Sequence, residues 1–169
     1  MKIIVSDASS LILLSKASVL EKACARYEVF IPSSVEKEVT SSSLRTKYAD
    51  AVQIHDLIRR DVLRVRRLTS RRTKIPLGLG IGEADAIRLF QQLPAQLLLT
   101  DDGKAVKVCR MMRIPFTISP KIVVDLYHNG DITFDEGLLS MEKLRIYGRY
   151  SPDIIAEALL KIRQEKDNA

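Results

Sequence analysis

Residues 2–32 read KIIVSDASSLILLSKASVLEKACARYEVFIP, and their pattern decides the fold. Lys2 to Ser6 is a short apolar run that gives way at once to Asp7, as expected of a buried strand. From Ser9 to about Cys24 the apolar residues recur at helical spacing. Glu28 to Ile31 is a second short strand, and Pro32 closes it. Strand, helix and strand in this order predict a crossover unit whose two strands lie parallel in one sheet.

The same alternation continues outward. Ser33 or Ser34 stands where it can cap a helix carrying Val35 and Val39. A longer helix is predicted from about Lys47 to Arg60, with Ile54, Leu57 and Ile58 at core spacing. Val62 to Arg67 alternates, with Leu63 and Val65 on one side and Arg64 and Arg66 on the other. That predicts a half-exposed strand at a sheet edge. Ser70 to Gly82 reads as a loop. A helix over Gly82–Leu93, a strand over Gln96–Thr100, a helix over Lys104–Met112 and a strand over Pro115–Ile118 follow. Ser119-Pro120 opens another helix. Two helices end the chain. Thr133 and Glu136 form a capping box for the first, whose apolar face is Phe134, Leu138, Met141 and Leu144. Ser151-Pro152 starts the second, with Ile155, Leu159 and Ile162 on its stripe. The fold class predicted is α/β: a three-layer α/β/α sandwich on a mainly parallel five-stranded sheet. Residues 1–130 are expected to form its core, and 131–169 a C-terminal helical extension packed on the same domain.

Composition narrows the function classes. The 169 residues are 46% hydrophobic and 28% charged, the balance of a globular domain. No apolar run approaches the ~18 residues of a membrane span, and Asp7 interrupts any signal-peptide core. Cys24 and Cys109, with only His55 and His128 besides, give neither a disulfide framework nor zinc spacing. A cytoplasmic location is the expectation. The net charge of +6 is concentrated: Arg59 to Lys74 carries eight basic residues and one acid, a local +7, and the rest of the chain nets −1. Such a segment predicts a polyanion site, nucleic acid foremost, against the plainer reading of a solvated loop. Arg64, Arg66, Arg71 and Arg72 are the expected backbone contacts. Aromatics are 5% and Trp is absent, so phosphate contacts rather than base stacking should supply the grip.

Two acids follow strand ends, where α/β sheets place their crevice. Asp7 follows the first strand, and Asp101, with Asp102 behind it, follows the strand over Gln96–Thr100. Glu38 lies beside Val39, on or near the inward stripe of its helix. Glu36 is about 200° away round that helix, so only one of the two can point inward. Glu83 opens its helix with Ala86, Ile87 and Phe90 on the same face, whereas Asp85, with Arg88 three residues on, reads as a surface acid. Singly, each acid has a structural reading as a helix cap or first-turn acid. Jointly, Asp7, Glu38, Glu83 and Asp101 would converge on one end of the sheet. Two carboxylates about 5 Å apart repel by roughly 3 kcal/mol at an effective dielectric near 20, and four would cost on the order of 10 kcal/mol. Protons or a divalent cation must relieve that, and an all-oxygen set suits Mg²⁺ or Mn²⁺. A cation beside a basic segment points to phosphodiester hydrolysis.

Other motifs carry less. Gly78-Leu79-Gly80-Ile81-Gly82 lacks dinucleotide-binding spacing and follows Pro76, so it is expected to form a mobile loop at the crevice rim. There is no phosphate-binding GxxxxGK[ST], and neither Ser9 nor Ser10 has a histidine context for a nucleophile relay. His128 is expected to face the dipole at a helix C-terminus.

Four segments in order, IIVSDASSLILLSKASVLEKA, VFIPSSVEKEV, GIGEADAIRLF and LLLTDDGKAVKVCRMMRIP, resemble the PIN domain family over about Met1 to Gly130. The likeness is closest to a prokaryotic, VapC-toxin-like branch in which a GEA-type motif replaces the more usual Asp-Ala. The resemblance implies a PIN-like parallel sheet and an Mg²⁺- or Mn²⁺-dependent ribonuclease. Asp7, Glu38, Glu83 and Asp101 would be its catalytic, metal-binding acids. Cleavage would leave a 5′-phosphate and a 3′-hydroxyl. Ser9 matches a small hydroxyl residue near the first acid, and Asp102 would be an extra outer acid. It also implies RNA as substrate, a small antitoxin-like protein partner and a homodimer. The third acid departs from the pattern, being Glu83 where Asp is commoner, with Asp85 able to compete for its role. The alternative is a PIN-like nucleic-acid-binding module with little or no catalysis. The tail, Asp131 to Ala169, lies beyond the likeness and would serve dimerisation, partner binding or lidding of the core.

Overall fold

Ile4 and Val5 are chain neighbours, both fully buried, yet they belong to different cores. Val29 and Ile31 pack with Ile4, and Phe30 packs with Val5; Leu99 and Leu98 divide the same way. This two-residue period is that of strands covered on both faces, and it makes the molecule three-layered.

The structure is a computed structural model that describes residues 1–76 and 78–168. In chain order the elements are β1 (Lys2–Ser6), α1 (Ala8–Lys16), α2 (Leu20–Arg26), β2 (Tyr27–Pro32), α3 (Ser33–Thr40), the single turn α4 (Ser42–Arg45), α5 (Ala49–Arg59) and β3 (Leu63–Arg66). There follow α6 (Ile81–Gln92), β4 (Leu97–Leu99), α7 (Gly103–Met112), β5 (Phe116–Thr117), α8 (Ser119–His128), α9 (Phe134–Tyr147) and α10 (Pro152–Asn168). The five strands are all parallel, in the order β3-β2-β1-β4-β5. The α/β/α sandwich expected from the alternation is therefore present.

The chain builds outward from β1 through β2 to β3, then returns to lay β4 on the other side of β1. The strand order thus reverses between β1 and β4, and a crevice opens at the carboxyl ends of those two strands. Ser6 pairs with Leu99, and the Asp7 amide donates to the Leu99 carbonyl at 3.1 Å. The next residue of each chain segment, Asp7 and Thr100, therefore stands at that edge.

The layers are unequal. On the Val5 face, α6 and α7 contribute Ala86, Ile87, Leu89, Val108 and Cys109. The other face holds most remaining helices, with Leu11, Leu14, Ile54, Leu57 and Ile122 fully or almost fully buried. Met141, Leu144, Ile155 and Ile162 of α9 and α10 belong to this larger core, and the two helices pack on α8 and, through α9, on α1. The capping box opens α9: the Glu136 amide donates to Thr133 Oγ1 at 3.2 Å, and the Thr133 amide donates to the Glu136 carboxylate at 2.7 Å. No helix among the described residues is long and apolar enough to cross a membrane.

Some local expectations are corrected. The single helix from Ser9 to Cys24 is two, because Ser18 takes a left-handed backbone (φ 63°) that no helix continues through. Tertiary contacts hold the break: Ser140 of α9 donates to the Ala17 carbonyl at 3.0 Å, and Lys143 to Ser18 Oγ at 2.8 Å. Neither Ser33 nor Ser34 caps α3; Pro32 is its N-cap and no side chain accepts from its first amides. The helix expected from Lys47 starts at Ala49, after the separate turn α4.

Candidate active site

Asp7 ends β1 and caps α1. It is 1% exposed, the most buried carboxylate the sequence analysis selected. Its Oδ1 accepts from the Ser10 amide at 3.1 Å and from Ser9 Oγ at 2.8 Å, and Thr100 Oγ1 donates to its Oδ2. The hydroxyls of Ser9 in α1 and of Thr100 just past β4 thus fix both of its oxygens at the edge of the sheet. Burial pushes its pKa up to about 7; the three hydrogen bonds oppose that, and the negative charge of Asp101 adds to it. At neutral pH the site carries either a proton or an unrelieved charge at this position.

Asp101 follows β4 and is half-buried. Its Oδ2 accepts from Ser10 Oγ at 2.7 Å and from Ser119 Oγ, and its Oδ1 accepts from the Ser119 amide at 3.0 Å and from the Tyr150 hydroxyl at 2.6 Å. Ser9 and Ser10 are successive residues of α1, and they tie the two aspartates into one network: Ser9 donates to Asp7, Ser10 to Asp101. Asp101 is not a helix cap. That role belongs to Asp102, whose carboxylate accepts from the Ala105 amide at 2.8 Å.

Glu38 and Glu83 form the second pair, one from α3 and one from the first turn of α6. Glu38 is exposed rather than inward, since Val35 and Val39 take the buried positions. Partial burial of its carboxylate, then the charge of Glu83, raise its pKa. The glycines of α6 explain how the acids approach. A β-carbon on Gly82 would overlap the Glu38 carboxylate, and one on Gly80 would overlap that of Glu83. These glycines therefore seat carboxylates at the start of a helix, where exposed amide N–H groups favour negative charge, instead of forming a rim loop.

Asp85 is a correction. It is 1% exposed, not a surface acid, and receives Arg71 at 2.7 Å and Arg88 at 3.0 Å. Two cations hold it, so it does not compete with Glu83. Through Arg71 it also anchors the basic segment to α6.

The four arginines separate. Arg64 pairs with Glu28 and lies 3.7 Å from Asp61, so part of its charge is spent within the fold. Arg66 lies over the Phe30 ring at 5.2 Å, at the carboxyl end of β3 beside Pro32. Arg71 stays 66% exposed despite its bond to Asp85, and Arg72 is exposed. A cleft of about 730 Å³ opens between the start of α3 and this segment, lined by Ser33, Lys37, Arg67 and Arg71 among others. Lys37 and Arg67 were not selected from sequence; the folding back of residues 67–71 onto α3 brings them together.

The carboxylates therefore stand as two pairs, Asp7 with Asp101 and Glu38 with Glu83. Among the described residues no three Asp, Glu, His or Cys side chains converge closely enough, as they stand, to hold a metal ion. The donor chemistry still fits a hard divalent cation: the ligands are oxygen only, burial and then the neighbouring acid raise the pKa of Asp7 and of Glu38, and Glu38 and Glu83 make no hydrogen bond or ion pair to a described residue. Sequence reasoning missed Ser10, Thr100, Ser119 and Tyr150, the donors that hold the aspartates. Ser119 carried a signal as the residue before the helix proline; Tyr150 carried none.

A family model described as DUF3368, a PIN domain, matches residues 3–164. No curated protein and no solved structure matches the chain significantly.

Proposed function

The chain belongs to the PIN-domain family, whose members are generally nucleases and typically use divalent metal ions, and from that premise we propose that it is an Mg²⁺- or Mn²⁺-dependent endoribonuclease. The observation that carries the reading is the state of Asp7: a fully buried carboxylate pushed up to about 7, with Asp101 adding negative charge beside it. A cation beside Asp7 and Asp101 would favour their ionised forms, and perturbed carboxylates of this kind support reading the edge of the sheet as a functional site.

Asp7, Glu38, Glu83 and Asp101 would hold the ion. Bound there, it would supply Lewis-acid stabilisation of the phosphoryl oxygens and lower the pKa of an attacking water. The rest falls to the protein. Ser9, Ser10 and Thr100 hold the two aspartates in place so that little reorganisation is needed when substrate arrives. Arg66, Arg71 and Arg72, joined by Lys37 and Arg67, would hold phosphates along the cleft on the α3 side. Asp85 keeps Arg71 aimed there. An antitoxin-like partner and a homodimer remain proposals that follow from the family likeness.

The test is cleavage of end-labelled single-stranded RNA with Mg²⁺, Mn²⁺ or EDTA, run beside Asp7→Asn. We expect cleavage that needs the metal and is lost in the variant. Cleavage that survives the substitution would refute the site. One observation favours a second reading, a binding module with feeble catalysis: all four acceptor positions of Asp101 are already taken. RNA retained on the protein at every metal concentration without cleavage is its expected result.

A further inference from the structure

The segment between α9 and α10 reaches the acidic edge. Gly148 ends α9 and α10 begins at Pro152, and between them Tyr150 turns inward to place its hydroxyl 2.6 Å from Asp101 Oδ1. The ring lies directly on Gly148, where a β-carbon would collide with it. Arg149 and Ser151 on either side are exposed. Among the described residues no backbone hydrogen bond ties Arg149 or Tyr150 to the sheet or to α8. The phenol is thus carried into the site on a short strap that has no backbone bond to the sheet, and its half-buried ring packs against the larger core.

An ionised carboxylate offers about four lone-pair positions. On Asp101 all four are filled: two by Ser119, one by Ser10 and one by Tyr150. Ser10 and Ser119 belong to α1 and α8, helices packed in the larger core. Tyr150 is the one donor carried by the strap, so its hydroxyl can leave Asp101 without a shift of α1 or α8, the ring alone sliding on the core it packs against.

From this we infer that Tyr150 is a latch on the metal site: its hydroxyl competes with the divalent cation for Asp101, and the α9–α10 strap must lift for the cation to bind. The inference rests on the proposed role of Asp101 and deepens it by assigning the C-terminal helices a regulatory part. It also says what a partner or substrate would have to do to activate the site, namely draw the strap away. The exposed Arg149 beside the latch is a handle that a phosphate backbone could pull.

The test measures Mn²⁺ binding by calorimetry for the native protein, Asp101→Asn, Tyr150→Phe and Gly148→Ala. The phenylalanine keeps the ring and removes only the donor, and Gly148→Ala displaces the ring while keeping the hydroxyl, its methyl also pressing on the Leu144 carbonyl at the end of α9, which the melts monitor. Thermal melts without metal check that each variant folds. We expect Asp101→Asn to lose binding, and both strap variants to bind Mn²⁺ several-fold more tightly than native. In the native protein, Mn²⁺ should also speed amide hydrogen exchange at residues 149–151. If Asp101→Asn binds as the native protein does, the metal-site reading falls and the latch with it. If Asp101→Asn loses binding but Tyr150→Phe binds equally or more weakly, the latch is overturned while the nuclease reading stands. Weaker binding would make Tyr150 a positioning residue for Asp101 instead.

Discussion

Replacing Asp7 with Asn should make the metal-free protein respond less to pH, and the size of the effect follows from burial. The carboxyl moves from an ordinary 3.8 to about 7 on folding. Because the native pKa is the higher, the fold favours the protonated form. Its stabilising share is complete below about pH 4, and it is lost as pH rises toward 7. Integrating that shift between pH 5 and pH 8 gives a loss of about 2.5 kcal/mol from this one group. In a chain of this size that corresponds to roughly 5–10 °C in Tm. Asn has nearly the same shape and never ionises. It must give one amide hydrogen to a position where Thr100 now donates, which costs about 1 kcal/mol. That cost is the same at both pH values, so it cancels in the comparison. The assay is urea unfolding of native protein and Asp7→Asn in EDTA at pH 5 and pH 8. Carboxylates with no coupling to Asp7 titrate alike in both proteins and also cancel. We expect Asp7→Asn to gain about 2.5 kcal/mol relative to native on going from pH 5 to pH 8. An equal gap at the two pH values would refute the claim that Asp7 is held out of its ordinary ionisation range.

Further outcomes follow from the same geometry. Gly82→Ala should leave stability unchanged or raise it by the ~0.5–1 kcal/mol that alanine gains in a helix, while weakening Mn²⁺ binding, because the new methyl meets the Glu38 carboxylate; unchanged Mn²⁺ affinity would remove Glu38 from the site. Mn²⁺ at 100 times its dissociation constant should stabilise the native protein by about 2.7 kcal/mol, and Glu83→Gln should lose most of that gain in a thermal-shift titration. Asp85→Ala should destabilise by about 3 kcal/mol, since it strands a half-buried Arg88, and limited proteolysis should then cut within residues 67–76. Replacing Arg66, Arg71 and Arg72 together with Ala should reduce the salt dependence of RNA binding by about 2 in the log–log slope; an unchanged slope would move the RNA path elsewhere.

The sheet and its order of elements were legible because strands covered on both faces leave short apolar runs that little else imitates. Lys2–Ser6 is the clear case, and the edge strand was legible by its alternation instead, with Leu63 and Val65 against Arg64 and Arg66. Asp7 and Asp101 were legible because their position depends only on where a strand stops. What escaped was set by tertiary contact. The break at Ser18 depends on Lys143 and Ser140, more than 120 residues on. Asp85 looked like a surface acid from its neighbour Arg88, but its burial depends on Arg71 arriving from a loop. The pairing of Glu38 with Glu83 depends on two glycines whose lack of side chain is meaningful only once α3 lies against α6. Tyr150 is the extreme case: nothing near it in sequence relates it to Asp101, 49 residues away.

The two outer strands differ in how they finish the sheet. β5 is only two residues long, and β3 presents Arg64 and Arg66 along its flank with Phe30 beneath them. A neighbouring molecule seeking to extend the ladder meets repulsion on one side and almost no template on the other. Self-association, where it occurs, must then run through helical surfaces. Stripping these arginines to probe RNA binding would also expose a sticky rim, so solubility should be followed alongside affinity.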